Sequence, residues 1–170
     1  MPMKRLIVKP MPHNAATPRL LRAHVAAAEG RFADATALVA QARAAFAAVD
    51  RRSMVLDCDV STMQHLVLAG RYDEAAAAGG ALADRLQVAE PELRVTYGRV
   101  LGRAEVALGD ARGVARVEQA LVAARELNVA YEVLQCLATL VEIADAGGPA
   151  VAASVPAELD GIRRSLGVVA

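Results

Sequence analysis

Apolar residues recur three and four positions apart along most of this chain, which is the spacing that places side chains on one face of an α-helix. The stretch from 32 to 49 shows one such face, formed by Phe32, Ala35, Leu38, Ala42, Phe46 and Val49. Residues 52–69 carry two apolar rows separated by only a narrow polar stripe, so we expect this helix to be internal. The pattern predicts helices at about 18–29, 32–49, 52–69, 72–88, 91–108, 111–127 and 130–145, and a short eighth helix at 156–166.

Glycines interrupt this pattern at a regular interval. Gly70, Gly109 and Gly148 lie 39 residues apart, and Gly30 precedes them by 40. A fixed period of about 20 to 50 residues is typical of stacked repeats, in which each unit buries its apolar face against its neighbours. We therefore predict an all-α fold of antiparallel helix pairs, forming one repeat domain at 18–170. The segment 1–17, which contains several prolines, is predicted to be an extended N-terminal arm.

The composition fits one folded domain and narrows the range of partners. The chain has 170 residues, of which 55% are hydrophobic and 22% charged, and this balance argues against disorder. Basic and acidic residues number 19 each, so the formal net charge is zero and we expect neither nucleic acid nor a membrane as a partner. No segment has the length and apolar character of a membrane span or a signal-peptide core, and we therefore expect a cytoplasmic chain.

No sequence motif predicts catalysis, a metal site or a cofactor. The glycine-rich loops that cradle phosphates are missing, and no serine lies in a G-x-S-x-G turn. The three histidines, at positions 13, 24 and 65, do not show the spacing of zinc ligands. We therefore expect a protein that is not an enzyme and binds no cofactor or metal.

The two cysteines occupy equivalent positions in repeats that are not adjacent. Cys58 and Cys136 are 78 residues apart, which is two periods. Neighbouring helices lie about 8 to 10 Å apart, so positions two repeats away are too distant for a disulfide bond. The repeat register predicts two free, buried thiols.

The wording around the turns resembles that of a known repeat family. A helix, a Gly-Arg-aromatic turn and a second helix with an early alanine occur at Gly30-Arg31-Phe32 and at Gly70-Arg71-Tyr72. With this pattern, residues 19–167 resemble four tetratricopeptide (TPR) repeats. The segments 109–112, 124–127 and 164–168 are similar to the C-terminal helical-repeat region of large bacterial signalling ATPases, ATP-dependent transcription regulators and adenylate/guanylate cyclases.

This resemblance implies a right-handed α-solenoid of about four helix pairs. Two features depart from the standard TPR. The period is 39 to 40 residues, whereas about 34 is usual, and the W-x-x-L-G-x-x-Y signature is missing. HEAT-like repeats share the longer period and remain an alternative fold.

The resemblance also implies where a ligand would bind, because the first helix of each TPR pair lines a concave groove. On the first helix of the second repeat, Asp57, Ser61 and Gln64 form a polar stripe at i, i+4 and i+7. The full set of candidate groove residues is Asp57, Ser61, Gln64, Gly98, Arg99, Gly102, Glu132, Gln135 and Thr139. Arg99 would supply a fork for a carboxylate, and the glycines would let a ligand backbone approach. Two alternatives remain open: these residues form the solvated faces of ordinary helices, and the glycines permit close helix packing.

The function expected from the resemblance is that of a non-catalytic scaffold, an adaptor or sensor module that binds a protein or peptide. The alternative is a detached regulatory or assembly domain of a larger bacterial signalling ATPase, transcription regulator or nucleotide cyclase. Weak homodimerisation is expected through the N-terminal arm or an end helix, since the first helix carries Leu20, Leu21 and Val25.

Overall fold

The computed structural model describes residues 16–150, 152, 154–165 and 167. These residues form helices and turns without a strand, which confirms the predicted all-α class. The helices are α1 (Ala16–Ala28), α2 (Phe32–Ala47), α3 (Arg52–Leu68), α4 (Tyr72–Leu86), α5 (Pro91–Ala107), α6 (Arg112–Glu126), α7 (Ala130–Asp145) and α8 (Ser154–Ser165). Helix α1 starts two residues before the predicted boundary, and residues 1–15 of the predicted arm lie outside the described residues.

Glycines with left-handed backbone end the first helix of each of the first three pairs. Gly30, Gly70 and Gly109 have φ angles of +75°, +72° and +85°. The amide of the residue after each glycine donates to a carbonyl in the last helical turn, at 2.8 to 2.9 Å. Glycine adopts this conformation without the steric cost of a Cβ atom, which explains why it recurs. The fourth turn differs from the prediction, because its left-handed residue is Gly147 (φ +84°) and not Gly148.

Each helix packs against the next one in the chain, and the odd-numbered helices also pack on one another. Helix α1 contacts α3, α3 contacts α5, and α5 contacts α7. Among the described helices none is long and apolar enough to cross a membrane.

The core is a series of apolar clusters that neighbouring helix pairs share. The first lies between α1, α2 and α3 and contains Leu20 and Cys58. The second joins α3, α4 and α5 around Met63, and the third extends from α5 to α8 and contains Leu137 and Leu159. Because each cluster draws on consecutive elements, no helix pair buries its apolar face alone.

Both cysteines are buried and free, as the repeat register predicts. Burial raises the pKa of the Cys58 and Cys136 thiols to about 12. The thiolate form, which is the reactive one, is therefore strongly disfavoured at both positions.

Candidate functional site

Two rows of polar residues run across α3, α5 and α7. The 39-residue period relates Asp57 to Thr96 and Gln135, and it relates Gln64 to Arg103 and Glu142. Within each helix the two members are seven residues apart, so they lie two turns apart on the same face. With the 40-residue first interval the rows continue to Thr17 and His24 on α1. We call the surface formed by these eight residues the odd-helix face.

Contacts between α5 and its neighbours connect this face. Thr96 Oγ1 donates a hydrogen bond of 3.1 Å to Glu132 Oε1 on α7. Arg103 Nε lies 4.0 Å from Glu142 Oε2, and the Arg103 guanidinium lies 5.4 Å from the ring centroid of Tyr72. The Glu142 side chain is 66% exposed, so this carboxylate remains accessible to a ligand.

The two glycines predicted for the groove face α6 instead. A Cβ atom added to Gly98 would lie 3.5 Å from Ala120 Cβ, and one added to Gly102 would lie 2.6 Å from the carbonyl oxygen of Gly113. The space left by the missing side chains is thus filled by α6, which favours the close-packing alternative. The repeat register explains the difference: the residues equivalent to Asp57 and Gln64 are Thr96 and Arg103, and Gly98 and Gly102 point in other directions.

Arg99 was expected to offer an open fork, but the structure places it inside. Its side chain is 9% exposed and that of Glu132 is 14% exposed, with Arg99 Nε 3.9 Å from Glu132 Oε2. Neither of these two atoms has a hydrogen-bond partner among the described residues. The two charges therefore face each other in the interior, where Arg99 is not available to a ligand.

Three other predicted residues are mostly enclosed, and three remain at the surface. Ser61 and Thr139 are buried, and Thr139 Oγ1 donates to the Gln135 carbonyl of its own helix at 2.9 Å. Glu132 is nearly covered, as described above. The partly exposed residues are Asp57, Gln64 and Gln135.

A cleft of about 900 Å³ adjoins the odd-helix face between the α2–α3 and α4–α5 connections. Its apolar lining includes Met54, Leu56 and Leu93, and both Asp57 and Thr96 border it.

Charges of both signs line the cleft. The arginines at 43 and 85 both bind the Asp59 carboxylate, at 2.6 and 2.9 Å, and Arg52 binds Asp50 at 2.9 Å. Among the described residues, Asp57, Glu90 and Glu92 border the cleft without an ion-pair partner. The acidic side of the cleft is therefore the one left open for a ligand.

A pair of histidines joins α1 to α3 next to Asp57. His65 Nε2 lies 3.2 Å from His24 Nδ1, and the rings meet edge to face with centroids 5.1 Å apart. Burial, and secondarily the neighbouring His24, lowers the pKa of His65 to about 4. Burial also lowers the pKa of His24, against the opposing effect of Asp57, and burial raises the pKa of Asp57, against the opposing effect of His24.

Two features of this site escaped the sequence interpretation. Thr96, Arg103 and Glu142 were missed although the period that reveals them was recognised, because the polar stripe of the second repeat was not carried forward by 39 residues. The pairing of His24 with His65 had no comparable signal, because the two positions are one residue out of register. Within the described residues, no group of three or more His, Cys, Asp or Glu side chains could hold a metal ion.

No family model, curated protein or solved structure matches this chain.

Proposed function

We propose that this chain is a non-catalytic scaffold that holds a peptide, or a segment of a partner protein, on the odd-helix face and in the adjoining cleft. The observation that carries the proposal is the cleft of about 900 Å³, which combines an apolar lining with unpaired acidic groups. In this proposal the helix pairs form a right-handed, TPR-like α-solenoid in the bacterial cytoplasm, and the odd-helix face is its concave surface. The packing of odd helices on one another as well as on the even ones supports this arrangement.

The chemistry of the face favours a polar ligand. Asp57 is a partly buried carboxylate without a hydrogen bond to another described residue, so it is prepared to accept one from a basic side chain or a backbone amide. Gln64 and Gln135 carry amides that both donate and accept, which suits the main chain of an extended peptide. A purely apolar ligand would leave such groups unpaired, at a cost of about 1 to 3 kcal/mol each.

A selection from a random peptide library displayed on phage tests the proposal. Peptides enriched on the wild-type chain are measured against the variant Asp57→Ala/Gln64→Ala. The matched control is Glu118→Ala/Gln119→Ala, which makes the same kinds of change on exposed positions of α6. We expect a shared motif among the enriched peptides, with about tenfold weaker binding to the first variant and unchanged binding to the control. Failure to enrich any motif, or equal binding to all three proteins, would contradict the proposal.

A second candidate is a detached assembly or regulatory domain of a larger signalling ATPase, transcription regulator or cyclase. The exposure of Leu21 and Val25 on α1, at 62% and 55%, favours it, because such apolar side chains are usually covered in an assembly. A nucleotide-binding or cyclase reading frame directly upstream, whose product co-purifies with this chain, would support this candidate. Retention of that binding after replacement of both residues by serine would contradict it.

A further inference from the structure

The outer face of α1 presents positions that are buried in every later odd helix. Leu21 and Val25 are 62% and 55% exposed. The equivalent residues, all buried, are Ser61 and His65 on α3, Val100 and Ala104 on α5, and Thr139 and Ile143 on α7. In α3 the covering element is the preceding odd helix, as the contact of His65 with His24 shows. The outer face of α1 is therefore shaped to receive another helix pair of the same kind.

The other end of the stack carries the positions that would receive α1. Inside the stack, the α4–α5 contact brings Gly79 against Leu101, since a Cβ atom on Gly79 would lie 2.8 Å from Leu101 Cδ1. Moved by the repeat register, Leu101 corresponds to Arg22 on α1, while Gly79 corresponds to Ala157 on α8. Asp160 lies one turn further along α8. The same shift carries the contact of His24 with His65 to a contact of Glu142 with Val25.

The charges at the two ends are complementary. Helix α1 contains Arg19 and Arg22 and no acidic residue. The opposite end exposes Glu142 and Asp145 on α7 and Asp160 on α8, whose side chain is 60% exposed beside Arg163. A two-fold pairing of α1 with another α1 would instead bring arginines together. Charge therefore selects the opposite end of a second copy over the same end.

We propose that copies of this chain associate head to tail, with α1 of one copy seated on α7 and α8 of the next and Arg22 beside Asp160 of that copy. The contact continues the internal stack across the boundary between two molecules. It is heterologous, so it leaves one free end on each side and permits chains of copies. Because few side chains take part, the association is weak, and it is independent of ligand binding on the odd-helix face.

Sedimentation equilibrium of the 170-residue chain up to about 1 mM tests this contact. We expect wild-type association that weakens at least about tenfold in Arg22→Asp and in Asp160→Arg, each measured alone. An equimolar mixture of the two variants regains association, because each end of one then meets the opposite charge on the other. Leu21→Ser/Val25→Ser also loses association, and Glu118→Arg, an exposed change on α6, retains it. Circular dichroism confirms that each variant keeps the wild-type helix content.

Three outcomes would overturn the proposal. A wild-type chain that stays monomeric over this concentration range has no such contact. Undiminished association of Asp160→Arg together with loss in Leu21→Ser/Val25→Ser would show a two-fold contact between α1 helices. A mixture of Arg22→Asp and Asp160→Arg that remains monomeric would show that these two residues do not meet.

Discussion

At the scale of single residues, two arginines of α5 show how position within the repeat decides a role. Arg99 and Arg103 are one helical turn apart, yet their side chains are 9% and 17% exposed. Arg99 faces the nearly buried Glu132, whereas Arg103 reaches the exposed carboxylate of Glu142 and the ring of Tyr72. Arg103 is thus the arginine that a ligand on the odd-helix face would meet, and Arg99 belongs to the interior.

Replacement of Arg99 by alanine should destabilise the fold by about 3 kcal/mol, because it leaves the Glu132 charge buried without compensation. The matched control is Arg94→Ala on the same helix, which is exposed and should change the free energy of unfolding by less than about 0.5 kcal/mol. The double variant Arg99→Met/Glu132→Leu removes both charges and should recover most of the loss. Urea unfolding measures all three, and an Arg99→Ala variant as stable as Arg94→Ala would contradict the buried pairing.

The histidine pair should make the chain less stable in acid. Burial lowers the pKa of His65 from its usual 6.5 to about 4, so between these values the unfolded chain binds the proton more readily. Stability is therefore complete above pH 6.5, falls as the pH is lowered towards 4, and levels off below it. His24 contributes in the same direction, and Asp57 partly opposes it because burial raises the pKa of that carboxyl.

The variant His65→Gln tests this dependence, since its side chain stays neutral throughout. We expect a smaller difference between the unfolding free energies at pH 7 and pH 5 than in the wild type. An unchanged difference would show that other groups cause the loss of stability in acid.

At the scale of elements, α5 and α6 approach each other through facing glycines. Gly102 and Gly113 leave no room for side chains, since a Cβ atom on Gly102 would lie 2.6 Å from the Gly113 carbonyl oxygen and 2.7 Å from Val117 Cγ2. The helices themselves were predictable because the spacing of apolar residues survives in every repeat. The crossing of α5 and α6 was not, because a glycine within a helix is equally consistent with an open groove.

Replacement of Gly102 by alanine should lower the stability by about 2 kcal/mol or more, because the methyl group must push the two backbones apart. Gly80 on α4 is the matched control: an added Cβ atom there meets nothing within 4 Å. Gly80→Ala should therefore stabilise the chain by about 0.5 to 1 kcal/mol through the better helix propensity of alanine. Thermal unfolding distinguishes the two, and a Gly102→Ala variant as stable as Gly80→Ala would contradict the close approach.

At the scale of the whole molecule, the repeat period connects the fold to the proposed site. It predicted the helix-ending turns at Gly30, Gly70 and Gly109, but it failed at Gly147, where the turn comes one residue early. The odd-helix face follows from the same period once polar positions are compared across repeats. The cleft could not be predicted in this way, because it is formed by connections from two repeats and depends on how those repeats pack. The two ends of the stack differ as well, with apolar and basic residues on α1 and acidic residues on α7 and α8.

The most direct test of the proposed function is the change in backbone amide chemical shifts when a peptide from the phage selection is titrated into the labelled chain. We predict shifts that cluster on α3, α5 and α7, around Asp57, Gln64, Thr96 and Arg103, and in the connections that border the cleft. Exposed positions of α6 such as Glu118 should not shift. Shifts that cluster on α4 and α6, with the odd-helix face unaffected, would contradict the account.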